Sequence, residues 1–228
     1  FLEKRYPEDW DADWREHTHE SLGLFLVQYL CNGFNLADAA RLVYDDHYFK
    51  SGRKSFRFIR KKTEDRSDTE IVIPIIEPLQ KILDEIAAEP IKGSLVFPQI
   101  YAGEQNPEGM KARVSQENQN IRKRLGRLVK TMGWEVAPSG TWCRHSFATN
   151  LSHAGGVPKE YIQEAMGHSV MSGTVTDRYI QTYPLARQME FNSKLLKVGN
   201  QVDIMGELQG LTPDQIQALI EMVKKNKS

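Results

Sequence analysis

Between Ser139 and Tyr183 the chain collects side chains suited to phosphate. Thr141-Trp142-Cys143-Arg144-His145-Ser146-Phe147-Ala148-Thr149 is followed by Met166-Gly167-His168-Ser169, then by Asp177-Arg178-Tyr179-Ile180. An arginine fork can hold two phosphate oxygens at once. A phenol, with an ordinary pKa near ~10, is a poor nucleophile at neutral pH. It becomes useful where cationic donors stabilise the charge that develops during attack. No metal cluster stands beside these groups. Asp45-Asp46-His47 comes nearest, but adjacent residues rarely converge on one ion, so a loop is expected there. Neither a metal nor a cofactor is expected.

Three such motifs in this order resemble the tyrosine recombinase (phage integrase) family. Its catalytic domains show an Arg-His-x-Phe-Ala-Thr helix start, a Gly-His-Ser turn and a tyrosine shortly after. The resemblance extends over roughly residues 22–197. It implies a site-specific recombinase that cleaves DNA through a 3′-phosphotyrosine link and rejoins it without ATP. Tyr179 would be the nucleophile, with Tyr183 as the alternative. Arg144 would clamp the scissile phosphate and His168 would donate a hydrogen bond to it. Lys62, favoured over its neighbour Lys61, would protonate the departing 5′-oxygen. The partner implied is double-stranded DNA bound by a homotetramer, and no membrane is involved. An upstream core-binding domain belongs to the family pattern. It is expected to be missing from this chain, which opens at Phe1.

Two positions depart from the family pattern. Asn35 stands where an arginine is usual, between Gly33 and the acidic Asp38, and Thr141 stands where a histidine is usual. The frame Gly-Phe-Asn-Leu-Ala-Asp is similar to that of integrases of conjugative transposons. Asn35 with Asp38 three residues on has the spacing of a helix cap. Arg41 would lie about 240° round a continuing helix from Asn35 and face elsewhere. Arg66, on the expected hairpin, is freer to supply the missing guanidinium. His145 is a possible supporting group beside Thr141.

The elements that must position these groups are mostly helical. Residues 20–30 are almost continuously apolar and predict a buried helix, broken by Asn32-Gly33. A helix from Asn35 to about Val43 follows. Residues 47–60 and 70–76 predict a hairpin with a charged tip at 61–69, Pro74 either ending its second strand or placing that strand at a sheet edge. A surface helix is expected over 77–88, a short strand at Leu95–Phe97, and a loop near 101–110. Residues 114–132 predict a basic helix with Ile121, Leu125, Leu128, Val129 and Met132 inward. Further helices are expected over 144–154, from Pro158 to Gly167, and over 185–197. The fold class expected is mostly α with a small antiparallel sheet. Residues 1–198 would form the catalytic domain, and 199–228 a linker and an amphipathic helix started by Thr212-Pro213-Asp214-Gln215. Its stripe of Ile216, Leu219, Ile220 and Val223 is expected to join protomers.

Composition bounds the rest. The 228 residues carry no net charge, which alone argues against a nucleic-acid partner. The distribution argues otherwise. Residues 1–20 are acidic, whereas 50–66 and 111–130 are strongly basic, with Arg60, Lys61, Arg122, Lys123 and Arg124 as expected DNA contacts. No apolar run reaches the ~20 residues of a membrane span, and the acidic opening does not resemble a signal peptide. A cytoplasmic enzyme with two buried thiols, Cys31 and Cys143, is therefore expected. Two other classes compete with it. One is a catalytically weakened relative that only binds DNA, and the other a helical interaction domain without a DNA role.

Overall fold

The computed structural model describes residues 1–60, 69–135, 138–167 and 183–196. Helix α1 (Ala12–Leu30) starts at Asp11, whose carboxylate accepts the Trp14 N–H at 2.7 Å. It is eight residues longer at its start than its apolar run suggests. Its first turns are held by aromatic side chains, Trp10 within the core and Trp14 packed against it. The Arg127 guanidinium lies 4.8 Å from the Trp10 ring and 5.0 Å from the Trp14 ring. The acidic opening of the chain therefore packs on the basic helix through tryptophan faces.

Asn32 and Gly33 follow α1, both in the left-handed region (φ 55° and 67°). Asparagine and glycine are the residues that tolerate this conformation best. Helix α2 (Leu36–Ala40) is shorter than expected, and Arg41 is its C-cap. Arg41 still has α-region dihedrals (φ −98°, ψ −1°), so it keeps its place on the helical wheel. The side chain turns back, donating to the Ala37 carbonyl and to Asp38 Oδ1, and lies 5.2 Å from the Phe58 ring centre.

Residues 45–47 are not loop. Asp45 caps α3 (Asp46–Lys50) by accepting the Tyr48 N–H. The extended segment expected from 47 therefore begins only at Ser55. Strand β1 (Ser55–Arg60) pairs antiparallel with β2 (Thr69–Pro74), from Ser55 opposite Pro74 to Arg60 opposite Thr69. Phe56, Phe58, Ile71 and Ile73 point inward, as period-two alternation requires. The strand expected at Leu95–Phe97 is a single bridge, Leu95 to Val43.

Helix α4 (Glu77–Ile86) agrees with its apolar spacing. Helix α5 (Pro107–Thr131) opens seven residues before the expected start. Asn106-Pro107 looks like a loop by composition, but it is a cap followed by proline at the first helical position. Met132 lies beyond this helix and is 57% exposed, so it does not share the inward stripe. Helix α6 (Gly140–His153) also starts earlier than expected, by four residues. Helices α7 (Lys159–Ala165) and α8 (Leu185–Ser193) follow, the latter ending in a turn of 3-10 helix, Lys194–Leu196.

Among the described residues the architecture is mostly α with one small antiparallel sheet. Residues Phe1–Leu195 form one compact unit in which α4, α5 and α6 pack around α1, while β2 packs against α7 and α8. Cys31 and Cys143 are buried free thiols, and burial pushes each up to about 12. Cys143 also donates to the Phe25 carbonyl at 3.3 Å. Among the described residues no helix is long and apolar enough to cross a membrane.

Candidate active site

Arg144 stands at the centre of what the structure describes. Helix α6 buries Cys143, Phe147 and Leu151, which are four apart and lie on one face. Arg144 is at the edge of that face, half-buried. Gly33 makes the close approach possible, since a Cβ there would stand 3.0 Å from the Arg144 Cα. The guanidinium donates from Nη1 to the Gly33 carbonyl at 3.3 Å and from Nη2 to the Met166 carbonyl at 3.0 Å. Two carbonyls from different elements fix the plane of the fork. Met166 is two residues before His168 in the sequence.

Asn35 caps α2, its Oδ1 accepting the Asp38 N–H at 2.7 Å. The spacing of the two residues predicted this role. Asp38 is buried and pairs with Arg41 at 3.0 Å. Thr141 and His145 are exposed on the first turns of α6, with Thr141 one turn before Arg144 on the same side. Among the described residues no group of three His, Cys, Asp or Glu side chains could hold a metal ion.

The basic positions of α5 divide into two kinds. Arg122 and Lys123 are exposed, and Lys123 reaches toward the Trp14 ring at 6.0 Å. Arg124 is turned into the fold, donating to Ser21 Oγ at 3.0 Å and pairing with Glu117 at 3.4 Å. That arginine fastens α5 to α1. Arg60 closes β1. Lys61, Lys62, Arg66, His168, Tyr179 and the tail stripe of Ile216, Leu219, Ile220 and Val223 lie outside the described residues.

Tyr183 has a packing role. Its half-buried ring stands edge-on to Tyr161 at 5.4 Å and to Phe191 at 5.8 Å. Burial, then Glu160 and Glu164, push its phenol above the ordinary range. Its backbone is held on both sides. The N–H bonds to the Glu164 carboxylate, and the carbonyl accepts from Gln188 Nε2 at 2.6 Å.

A buried polar chain near this site has no signal in the sequence. Asn32 Nδ2 donates to the Val72 carbonyl at 3.0 Å, and Asn32 Oδ1 accepts from Asn192 Nδ2 at 2.9 Å. Asn192 Oδ1 accepts the Tyr161 hydroxyl at 2.7 Å. Gln188 and Asn192 share the buried face of α8 with Phe191. Single polar residues within apolar faces have no periodicity of their own, and Asn32 was legible only as a helix breaker.

The model of the Phage integrase family matches residues 17–185. The chain belongs to the phage integrase family. A comparison with curated proteins found no match. The integrase match runs from within α1 to the first residue of α8. It therefore includes Gly33, Arg144 and Met166, together with the sequence positions of His168 and Tyr179. The family is that of the tyrosine recombinases, so the mostly helical fold and a role on DNA follow for this integrase domain.

Proposed function

We propose that this integrase domain cuts and rejoins double-stranded DNA at a specific site, with Tyr179 as the nucleophile. The observation that carries the proposal is the Arg144 fork, oriented by the Gly33 and Met166 carbonyls at the start of the segment bearing His168 and Tyr179. In the cleavage step the Tyr179 hydroxyl gives up its proton to solvent water as its oxygen forms a bond to the scissile phosphorus and the bond to the 5′-oxygen breaks. Lys62 gives its proton to that oxygen. Arg144 and His168 hold the charge on the non-bridging oxygens. Rejoining reverses these steps with a 5′-hydroxyl from another strand. Tyr183 is the weaker candidate, since its ring is packed and its backbone is tied at both ends.

The guanidinium absent at Asn35 would come from Arg66. The domain would occupy residues 1–198 and act in the cytoplasm, on the DNA of a mobile element. The tail helix of each subunit would link it to a neighbour in a tetramer. A suicide substrate, whose cleaved end diffuses away, tests the core of this proposal. A covalent adduct mapped to Tyr179 is expected, and an intact chain without adduct would refute it.

One observation favours a second reading. Asn35 is engaged as a cap, so that position contributes no cation to a phosphate. A domain that binds DNA with salt-sensitive affinity yet never forms the adduct would be the weakened relative. One whose retention on DNA does not occur at low salt would be a helical interaction domain instead.

A further inference from the structure

Three stretches of sequence carry the proposed chemistry; the turn after α1 touches the described part of two of them and reaches the described end of the third through two buried side chains. The first is α6, whose Arg144 is held by the Gly33 carbonyl. The second is the hairpin, where β2 leads away from the position of Lys62 and offers the Val72 carbonyl to Asn32. The third is the stretch from His168 to Tyr179, which rejoins the described chain at Tyr183. Asn32 reaches that end through Asn192 and Tyr161. Tyr161 meets the Tyr183 ring at 5.4 Å, and Gln188, one turn from Asn192, holds the Tyr183 carbonyl. Asn32, Asn192 and Tyr161 are each at most 1% exposed. Buried hydrogen bonds of this kind are costly to break and resist rearrangement.

We propose that Asn32 is a positioning residue, which holds the arginine fork, strand β2 and the chain at Tyr183 in register through its two buried amide bonds. It touches no phosphate. Its left-handed backbone aims the Gly33 carbonyl at Arg144, while its amide ties that turn to Val72 and Asn192. The assignment rests on the recombinase proposal for what the register serves, but the coupling itself can be read without activity.

Two variants of the full chain test it. Asn32→Gly keeps a residue at ease in the left-handed region and deletes both amide bonds. Tyr161→Phe deletes one hydroxyl and keeps the ring, so it provides a milder second case if the first fails to fold. Two readouts are needed: the single-turnover rate of adduct formation at saturating DNA beside the DNA Kd, and the ¹⁵N–¹H resonance of the Arg144 guanidinium, assigned with Arg144→Lys. The expected result is a rate at least tenfold lower, a Kd within twofold, and a displaced Arg144 resonance. Ordinary packing predicts a lower Tm, with the saturating rate within twofold and the resonance unmoved, and that outcome overturns the proposal. If the parent forms no adduct while the variants still displace the Arg144 resonance, the coupling stands and the recombinase proposal falls.

Discussion

The side-chain oxygen of Asn35 accepts the backbone N–H of Asp38 at 2.7 Å. Such a cap contributes typically about 1 kcal/mol to a helix. Here it starts a five-residue helix two positions after the Gly33 carbonyl that orients Arg144. The position that departs from the family pattern thus supports the turn beneath the site. Arg144 is the guanidinium that this turn holds among the described residues.

Tyr179→Phe removes only the attacking oxygen. Covalent adduct should disappear, with DNA affinity within about twofold of the parent, on the ground that the hydroxyl alone does the chemistry. Tyr183→Phe should still form adduct. The opposite pattern, seen on a denaturing gel, would transfer the nucleophile to Tyr183.

Arg144→Lys keeps the charge and loses the planar fork. A lysine cannot donate to the Gly33 and Met166 carbonyls while also holding two phosphate oxygens. Adduct formation should fall on the order of 100-fold, the usual cost of one lost transition-state donor. A rate within a few-fold of the parent would make Arg144 a structural residue.

Arg122 and Arg124 should separate in a salt titration. Exposed Arg122 is expected to contact phosphate, so Arg122→Ala should weaken binding and reduce the slope of log affinity against log salt by about 1. Arg124→Ala should leave the slope alone and lower the Tm, because Arg124 joins Ser21 and Glu117. Equal slopes for both variants and the parent would remove α5 from the DNA contact.

Glu164 gives a pH test. Burial pushes its carboxyl above the ordinary range, and the Tyr183 N–H pulls it partly back. A carboxylate raised in this way costs the fold stability once it ionises. The cost is absent below the unfolded pKa and grows as pH rises through the folded one. Glu164→Gln keeps an oxygen for the Tyr183 N–H and cannot ionise. Its Tm should exceed the parent's at pH 7, and the difference should close below about pH 4, under the ordinary glutamate pKa. A difference independent of pH would show that ionisation is not the cause.

Truncation after Lys197 tests the tail. If residues 213–225 form the expected amphipathic helix and join protomers, the shortened chain should bind a single site nearly as well as the parent and lose synapsis. Analytical ultracentrifugation on paired sites would show this. A truncated chain that assembles and recombines like the parent would make the tail dispensable.

Local chemistry made part of this fold legible in advance. The Asn35–Asp38 cap, the break at Asn32-Gly33 and the helix α4 all follow from signals within a few residues. The first half of α1 was not legible, because Trp10 and Trp14 are held by Arg127, more than a hundred residues away. The start of α5 was obscured because Asn-Pro serves loops and caps alike. At the site, Arg144 stood out by its motif. Asn32, Asn192 and Tyr161 acquire meaning only when four separate elements meet, since a buried amide is defined by distant partners rather than by neighbours in sequence.

The two cysteines are placed to act as clocks. Cys31 directly precedes Asn32, and Cys143 directly precedes Arg144. Both thiols are buried and held protonated, so an alkylating reagent must wait for the chain around them to open. The labelling rate of Cys31 would then time the opening of the turn, and that of Cys143 the release of α6. Equal rates would mean that turn and helix open together, whereas a faster Cys143 would mean that α6 lets go while the turn stays closed.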